Sequence, residues 1–236
     1  MKKDNPTISI IIPVLNEEAH IGKLISYISE NSTSGNISEI LVVDGGSIDN
    51  TALIIKNTSA RVTMLHSERG RARQMNFGAM KAKGDILYFL HADTFPPKHF
   101  DLHIINAISK NHGAGCFQMR FDSNNWVLRF FAWFTKYRHR ICRGGDQSLF
   151  ISKDLYKNTK GFNEDYIVFE DNEYIGRLYQ KTNFKILPYH VRTSARKYRE
   201  LGILKLQYHF GVIHLKNYLG QGPEELYDYY QRKIAL

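Results

Sequence analysis

A histidine and an aspartate follow a short apolar segment near the middle of the chain. His91 and Asp93 come directly after residues 86–90 in the stretch DILYFLHADT, and two prolines follow shortly afterwards. An apolar run of this length that ends in polar residues and prolines predicts a buried strand opening into a loop. A carboxylate there suits Mg²⁺ or Mn²⁺, which bind few protein groups and keep water and phosphate in their shell. The other interpretation is a polar exit of the strand to solvent.

Two further acidic residues follow apolar runs earlier in the chain. Glu17 lies in PVLNEE, and Asp44 lies in VVDGGSIDNT. Asn16 is suited to cap a helix that begins at Glu17, and this role explains both residues as well as a binding role does. The glycine turn after Asp44 does not need that carboxylate, which can accept hydrogen bonds from a base or from a ribose hydroxyl. Three acids at successive strand ends favour one shared site.

Charged and polar residues with two interpretations recur in the second half. Asp146 and Gln147 lie in the glycine-rich turn GGDQSLFIS. Glu170 and Asp171 begin a predicted helix in FEDNE, where the helix dipole alone favours acids. The basic residues that could contact phosphate, or simply be solvated, are Arg71, Arg192 and Arg196.

The elements that carry these residues alternate between strand-like and helix-like segments. Apolar runs such as TISIIIPVL, SEILVVDGG and DILYFLHA are separated by helical patterns through the first half. This alternation predicts an α/β fold whose mostly parallel sheet is covered by helices and binds ligands at the carboxyl ends of its strands. In the second half, GCFQMRF predicts a strand and NWVLRFFAWFTKYRHRI predicts a helix that packs on the core or lies on a membrane surface.

The composition excludes several classes of protein. The 236 residues are 43% hydrophobic and 23% charged without repeats or linkers, which predicts one domain over 1–236. No GxGxxG motif, P-loop or RNA-binding aromatic motif is present, so we expect anionic small molecules and no nucleic acid to match the net charge of +9. No signal peptide, 18-residue apolar stretch or disulfide pattern is recognisable, which predicts a cytoplasmic protein.

Taken together, the motifs resemble those of family 2 glycosyltransferases with the GT-A fold. PVLNE, VVDGGSIDNT, RGRARQMNFGA, FLHADT, GGDQSLFIS, GFNE and FEDNE occur in that family's order and spacing over about residues 7–200. More narrowly, LHADT, GDQ and TSAR resemble a bacterial branch labelled radical-SAM- or selenodomain-associated, or arsenosugar-biosynthesis, glycosyltransferases. The resemblance implies a nucleotide-sugar-binding half at about 7–110, an acceptor-side half at 111–200 and a C-terminal helical extension at 201–236.

On the donor side, the resemblance implies contacts with a nucleoside-diphosphate sugar. Pro13, Asn16 and Glu17 lie where the family's first loop meets the nucleoside. Asp44 has the position that contacts the base, and Arg71 is near the segment that closes over base or phosphate.

At the reaction centre, the resemblance implies a metal ligand and a general base. Asp93 matches the last acid of the family's D-x-D motif, which binds the divalent cation, Mn²⁺ or Mg²⁺, that bridges the diphosphate. His91 replaces the first acid, and we expect it to steady the ribose or to offer an imidazole to the metal. Asp171 matches the acid that serves as general base. Further candidates for contact with acceptor or phosphate are Asp146, Gln147, Glu170, Arg192 and Arg196.

The function expected from these residues is inverting, metal-assisted transfer of a sugar to a hydroxyl acceptor, and family precedent implies a UDP-linked donor. The alternatives are a nucleotidyltransferase acting on a sugar phosphate, which PVLNEEAHIGK fits poorly, and a non-catalytic nucleotide-sugar-binding protein. The aromatic and basic segments WVLRFFAWFTKYRHR and LKLQYHFGVIHLKNYL predict peripheral contact with the inner membrane face at most.

Overall fold

A computed structural model describes residues 6–58 and 61–235, which form one sheet flanked by helices. The strands are β1 (Ile8–Val14), β2 (Ile37–Asp44), β3 (Val62–His66), β4 (Ile86–Phe89), β5 (Thr94–Phe95), β6 (Ala114–Phe121), β7 (Leu149–Ser152) and β8 (Lys185–Thr193). The α-helices are α1 (Ile21–Asn31), α2 (Thr51–Lys56), α3 (Arg71–Lys81), α4 (Phe100–Ser109), α5 (Trp126–Trp133), α6 (Lys153–Asn158), α7 (Glu170–Lys181), α8 (Arg196–Leu201), α9 (Ile203–Tyr218) and α10 (Pro223–Lys233). The strand order is β3-β2-β1-β4-β7-β6-β8-β5.

The first half of the sheet is parallel and buried on both faces. β1, with the sequence ISIIIPV, pairs in parallel with β2 and β4, and β2 pairs in parallel with β3. Ile10 and Ile12 of β1 belong to a core cluster with α1, whereas Ile11 belongs to a second cluster with α3. Helices therefore cover both faces, as continuous apolar strands predict.

The register of the parallel strands brings their carboxyl ends to one edge. Val14 pairs with Asp44, and Ile11 pairs with Phe89. Because the strands are parallel and nearly in step, the loops after β1, β2 and β4 emerge side by side. This is the edge at which the sequence analysis expects a ligand.

The second half of the sheet mixes strand directions. β7 lies antiparallel between β4 and β6, β8 runs parallel to β6, and the short β5 pairs antiparallel with β8. Within the described residues, four of the seven strand pairs are parallel. The predicted α/β architecture is confirmed, as a mixed sheet with parallel pairs in the majority.

The helix expected to begin at Glu17 begins instead at Ile21. Asn16 adopts a left-handed backbone with φ of 56°. Its side-chain oxygen accepts a hydrogen bond from the Ile48 amide at 2.9 Å, in the loop after β2, so it does not cap α1. The prediction that Asn16 caps a helix starting at Glu17 is therefore wrong.

The helix expected over NWVLRFFAWFTKYRHRI is also shorter than its sequence pattern. α5 ends at Trp133 and is followed by short 3-10 turns, the last of which spans Gly145–Gln147. The guanidinium of Arg143 binds the carbonyl oxygens of Thr135 and Tyr137, which diverts them from a helical ladder. The predicted helix is thus replaced, after Trp133, by turns that the side chain of Arg143 bonds to.

The C-terminal helices close over one end of the sheet's carboxyl edge. Tyr198 of α8, Leu206 and Ile213 of α9, and Leu226 of α10 form a third core cluster with Leu128 of α5. None of the helices in the described ranges is both long and apolar enough to cross a bilayer.

Candidate active site

Hydrogen bonds join the loops that follow β1 and β2. The Asn16 amide donates to Ser47 Oγ at 2.9 Å, in addition to the bond between Asn16 and Ile48. Asp44 is buried and accepts from the amide and hydroxyl of Ser47 at 3.0 and 2.6 Å. Gln74 of α3 donates to backbone carbonyls of β1 and β2 at 2.8 and 2.7 Å. The two loops are therefore held as one unit, and Asp44 is turned partly toward its own loop.

Glu17 and Asp93 form a negatively charged pair of loop residues beyond this edge. Glu17 Oε2 lies 3.0 Å from His20 Nδ1, and Glu17 Oε1 lies 3.8 Å from the Arg196 guanidinium. Burial, followed by the negative charge of Asp93, raises the pKa of Glu17. Asp93 Oδ1 lies 3.4 Å from the hydroxyl of Thr94. A carboxylate that raises its neighbour's pKa marks a place where a cation would be stabilised.

His91 lies between two carboxylates. Its Nδ1 is 3.7 Å from Asp146 Oδ1, and its Nε2 is 3.8 Å from Asp171 Oδ2. This approach requires glycine at position 145, because a Cβ on Gly145 would overlap both Asp171 Oδ2 and the His91 ring. A Cβ on the preceding Gly144 would meet no atom within 4 Å. The second glycine of GGDQ is thus needed for packing at the site.

Asp171 is buried at the start of α7, and its pKa is raised to about 6. Burial is the main cause, and the negative charge of Glu170 adds to it against the opposing charges of His91 and Arg71. Burial and Arg71 lower the pKa of His91, but Asp146 and Asp171 outweigh them and raise it. A carboxyl group with a pKa of about 6 is ionised at neutral pH and still basic enough to take a proton.

Arg71, the first residue of α3, links the donor loops to α7. Its guanidinium lies 3.1 Å from Glu170 Oε1; Glu170 is 2% exposed, whereas Arg71 is half exposed. Burial opposes the charge of Arg71, but Glu170, Asp171 and Asp146 raise its pKa. This cation therefore remains charged and partly open to solvent beside the acidic cluster, which consists of Asp146, Glu170 and Asp171.

α8 brings two basic side chains to the same place. Besides Arg196, which contacts Glu17, Lys197 donates to the Tyr230 hydroxyl of α10 at 2.6 Å. Burial would raise the pKa of Asp146, but His91, Arg71 and Lys197 together lower it. Charges from the C-terminal helices therefore act on the centre of the site.

Two of the sequence candidates have their side chains engaged elsewhere. Arg192 is exposed on β8, with its guanidinium 5.5 Å from the centre of the Phe95 ring, and it lines none of the cavities described below. Gln147 is buried, accepts from the Arg143 guanidinium and donates to the Cys142 carbonyl at 2.6 Å. Its amide holds the loop that carries Asp146.

Three adjoining cavities surround the acidic cluster. The large cavity, of about 1,230 Å³, lies beside α3 and is lined by residues that include Pro13, Glu17, Arg71 and Lys197. The small cavity, of about 190 Å³, shares those four residues. The polar side chains that line the small cavity in addition are His91, Asp93, Asp146, Ser194 and Arg196.

The apolar cavity, of about 550 Å³, lies on the other side of the cluster, between α5, the start of α7 and α9. It shares Asp146, Tyr198 and Phe210 with the small cavity. Asp171 lines the apolar cavity, whereas Asp93 lines the small one. The two aspartates therefore face adjoining spaces, with Asp146 lining both.

The residues around Asp93 fit a divalent cation whose coordination shell is supplied mainly by a bound phosphate compound and water. In the two described ranges, no group of three or more His, Cys, Asp or Glu side chains is arranged to hold a metal by itself. Mg²⁺ and Mn²⁺ need only one or two carboxylates when phosphate and water complete the shell. The repulsion between Glu17 and Asp93 is consistent with that arrangement.

Sequence reasoning missed Gly145, Lys197 and the aromatic lining of the apolar cavity. Gly145 lies inside a motif that was recognised, but its contact with His91 and Asp171 depends on three distant segments. Lys197 lies in the basic run RTSARKYR, where only its neighbours Arg192 and Arg196 were selected. The density of cations in that run was the available signal.

Comparison with known proteins decides the family. The family described as Glycosyl transferase family 2 matches residues 9–186, which include the three strand ends, the Asp146 turn and Asp171. This chain belongs to that family.

Curated relatives share segments of the chain. Glycosyltransferase AglE of Haloferax volcanii is 31% identical over 109 residues, covering 44% of this chain and 36% of AglE. Glucosyl-3-phosphoglycerate synthase of Mycobacterium tuberculosis is 33% identical over 104 residues, covering 40% of this chain and 31% of the synthase. The probable glycosyltransferase YdaM of Bacillus subtilis is 23% identical over 213 residues, covering 80% of this chain and 49% of YdaM. The chain thus spans less than half the length of each.

Solved structures share the fold. The mannosyltransferase PcManGT of Pyrobaculum calidifontis, in complex with GDP-Man and Mn²⁺, superposes with a TM-score of 0.68 at 19% identity, covering 97% of this chain and 70% of that one. TarS 1–349 of S. aureus, in complex with UDP-GlcNAc, gives a TM-score of 0.67 at 18% identity, covering 80% of this chain and 58% of that one. The predicted GT-A fold is confirmed.

Proposed function

We propose that this chain is an inverting glycosyltransferase that moves a sugar from a nucleoside-diphosphate sugar to a hydroxyl group. The observation that carries the proposal is the acidic cluster between two cavities. A buried carboxyl group with a pKa of about 6 lines one cavity, and cationic side chains with Asp93 line the other. Membership of the family supports the reaction class.

The donor's nucleoside diphosphate occupies the large and small cavities in this proposal. Arg71, Arg196 and Lys197 supply positive charge near the diphosphate, and Pro13 and Glu17 line both cavities. Asn16 and Asp44 help to hold the loops after β1 and β2 together beside the nucleoside. We also propose that Asp44 contacts the base. UDP is our first choice of nucleotide, with GDP as the alternative, because the neighbouring folds include complexes with UDP-GlcNAc and with GDP-Man.

Asp93 holds a divalent cation against the diphosphate, with His91 steadying the nucleotide or offering its imidazole. Support comes from the position of Asp93 in the lining of the small cavity, its repulsion of Glu17, and the Mn²⁺ in the PcManGT complex. A cation bound there neutralises charge on the departing diphosphate.

Asp171 acts as the general base. The acceptor oxygen attacks the anomeric carbon as Asp171 takes its proton, the bond from that carbon to the diphosphate oxygen breaks, and the nucleoside diphosphate leaves. Arg71 and Lys197 stabilise the charge that builds on the leaving group. A single displacement from the opposite face inverts the anomeric configuration, and no covalent enzyme intermediate is needed. Glu170 positions Arg71 through their ion pair.

We further propose a branch of the family, a division of the chain and a cellular location. LHADT, GDQ and TSAR support the branch associated with radical-SAM or selenium domains or with arsenosugar biosynthesis. We also retain the division into halves at about 7–110 and 111–200 with a helical extension at 201–236, and a cytoplasmic location.

Peripheral contact with an anionic lipid surface is supported by exposed aromatic side chains. Trp126, Phe130 and Trp133 on α5 are each at least half exposed, and the Lys136 ammonium lies 3.7 Å from the centre of the Trp133 ring. Aromatic and basic groups together suit the interfacial layer of a membrane. Flotation with vesicles tests this contact.

The experiment that tests the reaction class combines binding with product analysis. UDP-, GDP- and dTDP-sugars, each with Mn²⁺ and with a chelator, are screened by thermal shift, because a ligand stabilises the folded state by mass action. The products formed from the stabilising donor are then identified. Release of a nucleoside diphosphate is expected. Release of pyrophosphate from a nucleoside triphosphate and a sugar phosphate would identify a nucleotidyltransferase, and binding without any product would identify a binding protein.

A further inference from the structure

The apolar cavity has a lining unlike that of the two cavities beside it. Its volume of about 550 Å³ lies within the range of roughly 300–1,000 Å³ that is common for small-molecule sites. The hydrophobic side chains that line it include Phe131, Phe134, Ile141, Val168, Phe169 and Phe210. Neither the donor nor the cation of the proposed function uses this space.

Several polar side chains away from Asp171 are already bonded within the protein. Thr135 Oγ1 donates to the Ala132 carbonyl, and Gln207 donates to the Tyr198 hydroxyl at 3.0 Å. The Gln147 side chain accepts from Arg143 and donates to the Cys142 carbonyl. Beyond the border that carries Asp171, a sugar acceptor would bring several hydroxyl groups against a mainly hydrophobic lining, and burying unpaired hydroxyls is costly.

The reactive groups lie at one border of the cavity. Asp171 lines it, and Asp146, Tyr198 and Phe210 are common to this cavity and the small one that holds Asp93. Among the described residues, Asn172, next to Asp171, has a buried side-chain oxygen without a hydrogen-bond partner, and it too lines the cavity. A molecule in the cavity could therefore present a polar end to Asp171 and Asn172 while the rest stays in apolar surroundings.

We propose that the acceptor is an amphipathic alcohol, whose hydroxyl meets Asp171 and whose alkyl or aromatic body fills the apolar cavity. The inference rests on the proposed function and names its acceptor class. The alcohol's oxygen bonds to the anomeric carbon, its proton passes to Asp171, and the nucleoside diphosphate departs. The product is an alkyl or aryl glycoside. Burial of the alkyl or aromatic part of the alcohol stabilises its complex with the protein without any contact to a sugar.

Gly211 of α9 provides a way to fill the cavity without removing a catalytic group. It lines the cavity, and a Cβ built on it meets no atom within 4 Å, so the first carbon of the Gly211→Phe side chain is accommodated at the cavity wall. Leu204→Phe is the matched control, because Leu204 lies on the same helix, is 72% exposed and does not line the cavity. Ile141→Asp, at a position that is 66% exposed, is a second variant that places a charge at the cavity wall.

The test measures alcohol binding first and transfer second. Binding of 1-butanol, 1-hexanol, 1-octanol and 2-naphthol to the full chain is followed by calorimetry without donor, with glycerol and methyl glucoside as polar comparisons. Affinity should rise by about fourfold for each added methylene until the cavity is full. It should fall at least tenfold in Gly211→Phe and Ile141→Asp but not in Leu204→Phe. The alcohols that bind should then stimulate nucleoside diphosphate release, and the naphthol arm distinguishes an aromatic from an alkyl acceptor.

Other outcomes separate this inference from the proposed function. Affinity that does not depend on chain length, or that survives Gly211→Phe and Ile141→Asp, overturns the apolar acceptor even if donors bind and are cleaved. Equal stimulation by glycerol or methyl glucoside overturns it as well. Alcohol binding without binding of any nucleotide sugar would instead reject the proposed function, and with it the role of these alcohols as acceptors.

Discussion

The two sides of the acidic cluster differ in the chemistry of their side chains. On the side of β1, β4 and α3, charged groups such as Glu17, Arg71 and Asp93 lie on short loops that hydrogen bonds hold in place. On the side of α5 and α9, side chains such as Phe134 and Phe210 form an apolar wall. Electrostatic interactions depend on charge and distance, whereas hydrophobic contact is non-directional. On the first side, loss of a single charged group should therefore strongly reduce donor binding or transfer. On the second side, the effect of a substitution should increase with the change in side-chain volume.

Asp171→Asn should have the largest effect, because the residue lies where the two sides meet. Asn has nearly the same shape as Asp, but its amide cannot take the acceptor's proton, so we expect transfer to fall by at least about 10²-fold. Donor affinity, measured by calorimetry, should be retained. Glu173→Gln serves as the control, because Glu173 is an acid of the same first helical turn and lines none of the three cavities. Near-normal transfer by Asp171→Asn would reject the general base and direct attention to Glu170 or Asp146.

Gly145→Ala should disturb the same centre without removing any functional group. The added methyl group would overlap Asp171 Oδ2 and the His91 ring. Because displacement of a reacting group by about 1 Å can cost about 10²-fold, we expect a loss of one to two orders of magnitude in transfer. Gly144→Ala, at an extended φ of −173° with open space around the new Cβ, should change transfer little. Equal rates in the two variants would show that the close approach has no role.

Asp93→Ala tests the donor side alone. Loss of even an outer contact of a bound metal commonly costs about 10–100-fold in metal affinity, so donor affinity with Mn²⁺ should fall at least tenfold. Affinity measured with a chelator should be the same in both proteins. Asp154→Ala, which removes an exposed acid from α6, is the control. If the wild-type protein binds donor equally well with chelator and with Mn²⁺, the cation has no part in binding.

The raised pKa of Asp171 predicts that the wild-type carboxylate lowers stability. The pKa rises from 3.8 to about 6, so ionisation in the folded chain costs about 3 kcal/mol above pH 6 relative to the unfolded chain. Asp171→Asn should therefore raise Tm by roughly 6–12 °C at pH 7–8. This gain should shrink as pH falls from 6 toward 4, where the wild-type group becomes protonated. A lower Tm for Asp171→Asn at pH 7 would mean that the carboxylate is a structural cap.

The smallest effect is expected for the outer surface of α5. Wild-type protein should float with anionic vesicles at low salt and less at high salt, since screening weakens the basic contribution. Trp126→Ser, which changes a side chain that is 75% exposed, should reduce flotation several-fold. Met80→Ser, at a 66% exposed position on α3, should not. Wild-type protein that stays at the bottom of the gradient at low salt would exclude the membrane contact.

The parallel half of the fold was predictable because its signals are local. The apolar runs of β1, β2 and β4 have a length and composition that hardly permit another element, and their polar ends mark the sheet edge. Asn16 shows the limit of this reasoning. Its type predicts a helix cap, yet its side chain bonds with Ile48, a residue 32 positions away whose proximity only pairing of β1 with β2 creates.

The sequence by itself determined the fold class, the order of the motifs and the candidate acids, because these follow from residue type and short-range periodicity. The tertiary structure decided which candidates meet. It brought His91, Asp146 and Asp171 from three separate segments into contact, and it diverted Gln147 to the support of a loop. It also raised the pKa of Asp171, since that value depends on burial and on neighbouring charges. The apolar cavity is also a product of the tertiary structure, because its walls come from α5, α7 and α9, which are separate in sequence and meet only in the folded chain.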